Sequence, residues 1–382
     1  VDDGRAATID SLGPTQIRQR YLLVTASMGA GHDQVAEEVA RRLRVRGHDA
    51  HVVDLLTVLP AGIGVGLRDG YALMLRRAPW LYDLIYRVFF IPRERGQPST
   101  SPLVALAARR LAPVLAAYRP DAVVSTFHLA GQVVGRLRTR GRLDVPAAVV
   151  VTEAVAHALW LSPGNDLYLT LFPALAERVR ARTGADAVAP GPVVDPRFCA
   201  GGGDREQVRH GLGLRAGEDA VIVSTGSWGV GDAAIVATAL AARAGVRPVV
   251  VCGRNDDLRR SIDGIHGCIA LGWREDLPDL LGAAAVLVDN AGGSMCLEAF
   301  AAGVPVVAYR PIPGHGGPAV RALADAGLLR LAGDDPSALR AAVDAVRPGG
   351  ADRDGQIRAG RAIFAGDPVD ALLQWMTRHA VR

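Results

Sequence analysis

From Tyr21 onward the chain alternates short apolar runs, rich in β-branched residues, with longer segments whose apolar positions recur at helical spacing. The run YLLVTAS is followed by a helical pattern from Gln34 to Arg46 and then by DAHVVDLL; DAVVSTF, AAVVVTE and LYLTL come next. Continuous apolar runs joined by helices predict a mainly parallel sheet covered on both faces. The stretch Val188 to Gly203, VAPGPVVDPRFCAGGG, gathers prolines and glycines and reads as a linker. Beyond it the alternation resumes with AVIVST, PVVVCG, CIALGW, AVLVDN and PVVAY, and a last helical pattern, VDALLQWMTRHA, follows a Gly-Asp-Pro break. The pattern predicts an α/β protein with two doubly wound, Rossmann-like domains facing a cleft, over residues 21–197 and 198–365. Residues 366–382 form a terminal helix free to pack on either domain, including back across the first.

In open α/β sheets ligands sit beyond the carboxyl ends of the strands, so glycine loops that follow strands are where chemistry is expected. Three qualify: Ser27 to His32 (SMGAGH), Thr225 to Asp232 (TGSWGVGD) and Asn290 to Ser294 (NAGGS). Glycine lets backbone amides approach a ligand, and a following helix N-terminus favours phosphate, although an unspecialised turn also selects glycine. The first loop fails as a dinucleotide fingerprint. Asp54 stands where a ribose-binding acid would, but Gln34 occupies the third glycine position. In the third loop Glu298 follows Gly293 by five residues, which allows it to accept both ribose hydroxyls while the loop holds a diphosphate. The plainer alternative is an acid that complements the helix dipole. His32 stands at the start of a helix, where the dipole lowers imidazole basicity and suits a neutral general base; a local hydrogen bond is the simpler account. Glu153 is the second candidate for the base or for the group that orients it, and His128 and His157 are further candidates.

At 382 residues the chain exceeds what one core usually serves, in keeping with two domains. All 43 basic residues are arginine, which excludes Schiff-base chemistry and a P-loop lysine. A net charge of +4, dispersed along the chain, is unlike a nucleic-acid binder but permits weak attraction to an anionic surface. Cys199, Cys252, Cys268 and Cys296 lack ligand-like spacing and are expected to be reduced and buried. The start, VDDGRAATIDS, lacks signal-peptide features, and no run reaches the ~18 apolar residues of a membrane span. A cytoplasmic chain, free or held at the inner face of the membrane, is the expectation. The Asp-x-Asp at Asp352 to Asp354 lies in a glycine-rich segment expected at the surface, and no metal site is expected.

The segment DNAGGSMCLEAFAAGVPVVAYRPIPG combines the glycine pair, Glu298, Gly303-Val304-Pro305 and Pro311-Ile312-Pro313-Gly314. With SMGAGHDQVAEEV, LWLSPGND, GPVVDPRF and CGRND in the same order, the chain resembles GT-B glycosyltransferases. More narrowly it resembles the diacylglycerol glycosyltransferases, which include monogalactosyldiacylglycerol synthase and processive glucosyltransferases, and more distantly the lipid II N-acetylglucosaminyltransferase. The resemblance implies a UDP-sugar in the C-terminal domain, an acceptor in the N-terminal domain, and no further cofactor. Carried over by motif, Gly226 and Ser227 would lie near the phosphates, Arg254 and Trp273 near the base, Gly292 and Gly293 on the diphosphate and Glu298 on the ribose. Gly31, Ser294 and His315 complete the expected donor set, with His32 and Glu153 as the catalytic pair. The chain departs from the family at His315-Gly316-Gly317, where Gln or an acid is common, at Thr152-Glu153 in place of Thr-Asp, and at Asn290 in place of lysine. The implied reaction is inverting sugar transfer to the hydroxyl of a hydrophobic or lipid-like acceptor. A soluble natural-product acceptor, a GT-B-like sugar-nucleotide epimerase or hydrolase, and a non-catalytic sugar-nucleotide binder are the alternatives.

Residues 70–95, GYALMLRRAPWLYDLIYRVFFIPRER, place Tyr71, Met74, Leu75, Ala78, Tyr82, Ile85 and Phe89 at helical spacing, and Pro79 should divide the run into two short helices. Arg76, Arg77, Arg87, Arg93 and Arg95 share this stretch with Trp80, Tyr86 and Phe90. An amphipathic pair covering the core explains the stripe; the crowding of arginine with aromatics suits a membrane headgroup boundary and predicts peripheral contact.

Overall fold

The apolar runs form two parallel six-stranded sheets in the structure, a computed structural model that describes residues 18–90, 101–200 and 203–379. The polar start of the chain and Arg93 and Arg95 lie outside the described residues. The first sheet contains β1 Arg20–Thr25, β2 Asp49–Asp54, β3 Ala122–Ser125, β4 Ala147–Val150, β5 Leu167–Leu169 and β6 Asp186–Val188, in the order β2-β1-β3-β4-β5-β6. The second contains β7 Asp219–Ser224, β8 Val246–Val251, β9 Ile269–Leu271, β10 Val286–Asp289, β11 Val306–Ala308 and β12 Arg330–Leu331, in the order β12-β11-β10-β7-β8-β9. β6 and β12 carry no long apolar run: each is a short outer strand, and both residues of β12 are exposed.

Because successive strand residues face opposite ways, Leu22 and Val24 enter one core layer with the helices Pro102–Tyr118 and His128–Thr139. Tyr21 and Leu23 enter the other, under the helix Ala30–Val45. Burial on both faces explains why these strands read as unbroken apolar runs.

The proline-rich linker is packed. Val193, Val194 and Phe198 are buried, Asp195 caps a 3-10 turn at Pro196–Phe198, and Phe198 enters the core of the second sheet. Ala154 and Leu171, from loops after β4 and β5, join that same core and tie the two halves together. The last helix, Pro368–His379, lies on the first sheet: Val369, Leu372, Trp375 and Met376 are buried against Tyr21, Leu23 and Leu43. Arg42 and Arg46 reach Asp367 at 3.2 Å, and the Trp375 indole donates to Asp186 at 2.7 Å. Cys252 and Cys296 are buried as expected, whereas Cys199 is exposed because it ends the Pro196–Phe198 turn at the surface.

In each sheet the winding reverses once. The neighbours β1 and β3 mark the reversal in the first sheet, and β7 and β10 mark it in the second. The loop after β1 is the first glycine loop, and the loops after β7 and β10 are the other two. Crevices at such reversals are where doubly wound sheets hold ligands.

Removing the Trp375 side chain should expose how firmly the last helix is held. Trp375→Ala is expected to cost about 3 to 5 kcal/mol in urea unfolding; a loss under about 1 kcal/mol would mean the helix is a loose appendage.

Candidate functional site

The three loops open into one cleft of about 1780 Å³, lined from both halves of the chain. After β1 the chain turns at Gly29, whose φ of 149° and ψ of 157° are available to glycine, and the helix Ala30–Val45 begins at once. Its first turn thus starts earlier than the apolar spacing suggests and contains His32. Asp33 anchors the turn by accepting the hydroxyls of Thr25 and Ser27, each at 2.8 Å. Asp54 accepts from the Ser27 and Leu56 amides, so it serves the loop and caps the following helix.

His32 Nδ1 lies 3.1 Å from the Thr126 carbonyl and 3.1 Å from Thr152 Oγ1. A carbonyl only accepts, so the contact to Thr126 places the proton on Nδ1 and leaves Nε2 as the acceptor. Burial is the chief cause that lowers the basicity of His32; Glu153, the Thr126 contact and Asp33 act the other way. The ring is therefore neutral at rest, and an imidazolium formed there would be stabilised by the carboxylates around it. The ring also packs edge-on against Phe127, centroids 4.8 Å apart.

Burial opposes the ionisation of Glu153, but His157, whose Nε2 lies 3.7 Å from the carboxylate, holds it below the usual carboxylate range. His128 is pushed well below its ordinary value by burial and by His157. His128 Nδ1, His157 Nδ1 and Trp160 Nε1 are buried without a hydrogen-bond partner among the described residues. The rings of His128 and His157 are 5.0 Å apart, and both residues line the cleft.

On the opposite wall, Gly226 and Gly292 take left-handed φ values of 65° and 64°. A Cβ on Gly292 would lie 3.1 Å from the Val320 amide nitrogen, so glycine is required for the loop to pass. Asp289 accepts from the Ala291 and Gly292 amides at 2.8 and 2.7 Å and holds the turn. Gly293 then starts the helix Ser294–Ala301, and a Cβ there would meet nothing within 4 Å, so its backbone borders open cleft. Glu298 is 6% exposed, lines the cleft and accepts no hydrogen bond among the described residues. Burial, with Asp195 nearby, raises its carboxyl to about 7. Arg254 stacks on Trp273 with its guanidinium 4.0 Å from the ring centroid.

The two walls meet. The Ala30 amide donates to Ser227 Oγ at 3.2 Å, and a Cβ on Gly31 would come within 2.8 Å of Ser294 Oγ. His315, at the start of the helix Gly316–Asp325, bonds through Nδ1 to the Tyr82 hydroxyl at 2.8 Å. All the donor and catalytic candidates named from the sequence line this one cleft. Thr152, Tyr82 and Trp228 also line it; their roles depend on contacts that no local motif encodes. Among the described residues no group of three or more His, Cys, Asp or Glu is disposed to hold a metal ion, and Asp352 is ion-paired with Arg330 at the surface.

Two doubly wound sheets facing a cleft, with glycine loops at their reversals, define the GT-B class. Residues 32–187 match the family model of monogalactosyldiacylglycerol (MGDG) synthase, and residues 229–346 match that of the group 1 glycosyl transferases. A processive diacylglycerol beta-glucosyltransferase of Bacillus pumilus is 24% identical over 314 residues, covering 78% of this chain and 79% of the relative. Os79 from O. sativa, solved in complex with UDP, has a TM-score of 0.64 at 15% identity, covering 94% of this chain and 99% of its own. HepE of Anabaena, solved in complex with UDP-glucose, has a TM-score of 0.56 at 16% identity, covering 95% and 100%. The chain is a GT-B glycosyltransferase that resembles the diacylglycerol glycosyltransferases.

The buried acid leaves a signature in stability. Its carboxyl ionises near 4.5 when unfolded and near 7 when folded, so its stabilising contribution is full below about pH 4.5 and falls as pH rises to 7. Glu298→Gln should therefore stabilise the ligand-free protein at pH 8 relative to its effect at pH 4 by roughly 2 to 3 kcal/mol. Equal effects at both pH values in denaturant titrations would contradict a buried, strained carboxylate.

Proposed function

We propose that the protein transfers a sugar, with inversion, from a UDP-sugar to the hydroxyl of a lipid-like acceptor. The observation that carries the reading is the continuity of the cleft, which runs from Glu298 and the loops after β7 and β10 to His32 and on into apolar side chains. Those side chains, among them Leu67, Met74, Leu75, Ile85, Phe90 and Leu103, suit an acyl or similarly apolar body. The named activities of the B. pumilus relative and of the matched MGDG synthase family point to diacylglycerol as the acceptor class, and the ligands of Os79 and HepE to UDP as the nucleotide.

In this reading the diphosphate lies among the Gly226-Ser227 and Gly292-Gly293-Ser294 amides beside Gly31, where helix N-termini favour negative charge. Glu298 accepts the ribose hydroxyls, Arg254 and Trp273 border the base, and His315 meets the sugar. His32 Nε2 takes the proton of the attacking hydroxyl, and Glu153 stabilises the imidazolium formed. Loop amides and helix ends stabilise the leaving UDP, so the chemistry needs no metal.

The direct test is product formation from UDP-sugars and dioleoylglycerol in vesicles, alongside calorimetric UDP binding. His32→Ala should lower turnover by roughly a hundredfold or more with UDP affinity little changed. Glu298→Ala should weaken UDP binding by about 1 to 3 kcal/mol, the cost of unsatisfied ribose hydroxyls. Turnover that survives loss of His32 but not of Glu153 would move the base to Glu153. An epimer or free sugar formed without acceptor would replace the transferase reading.

As expected, Pro79 separates a pair of helices, Ile63–Arg77 and Pro79–Ile85, with Tyr86–Phe90 as a π-turn. Their inner face buries Leu75, Tyr82 and Tyr86, while Val65, Leu73, Trp80, Leu84 and Val88 are exposed beside Arg77 and Arg87. This outer face suits an anionic bilayer surface and would deliver the acceptor to the cleft behind it. Arg76 is directed elsewhere: it donates to the Trp228 carbonyl at 2.8 Å on the opposite wall. Binding to anionic vesicles at low salt should fall at least several-fold in a Trp80→Ala, Arg77→Glu protein, measured by sedimentation. Sedimentation equal to wild type would rule this face out as the membrane contact.

A further inference from the structure

The helices Ile63–Arg77 and Pro79–Ile85 belong to the acceptor half yet are bonded to the donor loops. Arg76 donates to the carbonyls of Trp228 at 2.8 Å and Arg254 at 3.3 Å, and the Gly314 amide donates to Asp83 at 3.3 Å. Between these contacts Tyr82, 4% exposed, places its hydroxyl 2.8 Å from His315 Nδ1. Gly314 has a φ of 77°, and a Cβ there would come within 2.5 Å of the Tyr82 ring, so the donor loop is shaped to receive this phenol.

We propose that Tyr82 is a positioning residue for the donor sugar: its hydroxyl, supplied by the acceptor half, fixes the ring of His315 so that Nε2 serves the sugar of the bound UDP-sugar. The inference rests on the donor-site reading given above. Burial pushes the Tyr82 phenol well above its ordinary value, so it stays protonated, and burial lowers His315, so the ring stays neutral. Either direction of the bond engages Nδ1 and leaves Nε2 for the sugar: where the phenol donates, Nε2 donates to a sugar oxygen, and where it accepts, Nε2 accepts from a sugar hydroxyl. Sugar recognition is then complete only when the two walls are together, because half of the device stands on each.

The test is a double-mutant cycle with wild type, Tyr82→Phe, His315→Ala and the double variant. For each, binding of UDP is compared with binding of the tightest of UDP-glucose, UDP-galactose, UDP-N-acetylglucosamine and UDP-glucuronate, and acceptor and donor KM are measured. Tyr82→Phe removes one oxygen and keeps the ring that fills the Gly314 gap. Either single change should weaken the UDP-sugar about three- to tenfold, raise donor KM in step and leave UDP affinity and acceptor KM within twofold; the double variant should lose no more than the singles. Unchanged UDP-sugar affinity in Tyr82→Phe, losses that multiply in the double variant, or UDP weakened as much as UDP-sugar would each overturn the assignment. A wild type that binds no UDP would overturn the donor-site reading and this inference with it, whereas intact UDP binding with any of the other failures removes this inference alone.

Discussion

Two helix N-termini approach closely across the cleft, and the rest of the site is arranged around that meeting. Gly31 lies in the first turn of one helix and Ser294 opens the other, with room for no side chain between them. Each terminus carries partial positive charge and unpaired amides, so their approach is unfavourable in itself and favours an anion beside it. The Ala30 to Ser227 hydrogen bond satisfies one of those amides across the gap. A diphosphate there would relieve the repulsion, and the same field would act on charge that develops on a departing UDP. The parallel sheets make the meeting possible, because each delivers its glycine loops to the end where its winding reverses.

Glu298 obeys the same logic from the other direction. A carboxylate kept at 6% exposure with no internal partner among the described residues is a cost to the folded chain, and burial accordingly raises its carboxyl to about 7. A helix-dipole role would not require burial, since dipole complements work at the surface in the first turn and Glu298 lies beyond it in Ser294–Ala301. The strain is intelligible if a pair of ligand hydroxyls donates to it. His32 and Glu153 show the complementary arrangement, a ring kept neutral by burial beside a carboxylate kept ionised.

Much of the fold is legible in the sequence because parallel strands buried on both faces leave unbroken apolar runs. β12 is not, since Arg330 and Leu331 are exposed and the strand exists only through its pairing with β11. The linker reads as loose because its prolines and glycines mark turns, while Val193, Val194 and Phe198 fill core space that only the assembled halves create. For the site, glycine spacing locates the loops, since backbone conformation is a local property. It does not disclose that the Thr126 carbonyl sets the His32 tautomer or that Tyr82 reaches His315. Those facts join residues up to 233 positions apart and depend on tertiary approach alone.

The helix pair between Ile63 and Ile85 illustrates why composition cannot assign such contacts. Its arginines look equivalent in sequence and Arg76 and Arg77 are both exposed, yet Arg76 grips carbonyls of the opposite wall. The difference arises from the helical rotation of about 100° per residue, which sends adjacent side chains to different surroundings. One face therefore presents Leu73, Trp80 and Leu84 to the outside while the other is bonded to the donor loops. Any displacement of these helices toward a surface must stretch the bonds of Arg76, Tyr82 and Asp83 or carry the donor loops along. The Tyr82 to His315 bond, at 2.8 Å between buried groups, is the one such a displacement would disturb first. The contacts of Arg76, Tyr82 and Asp83 thus join these helices to the donor loops directly, in addition to the core that the two halves share.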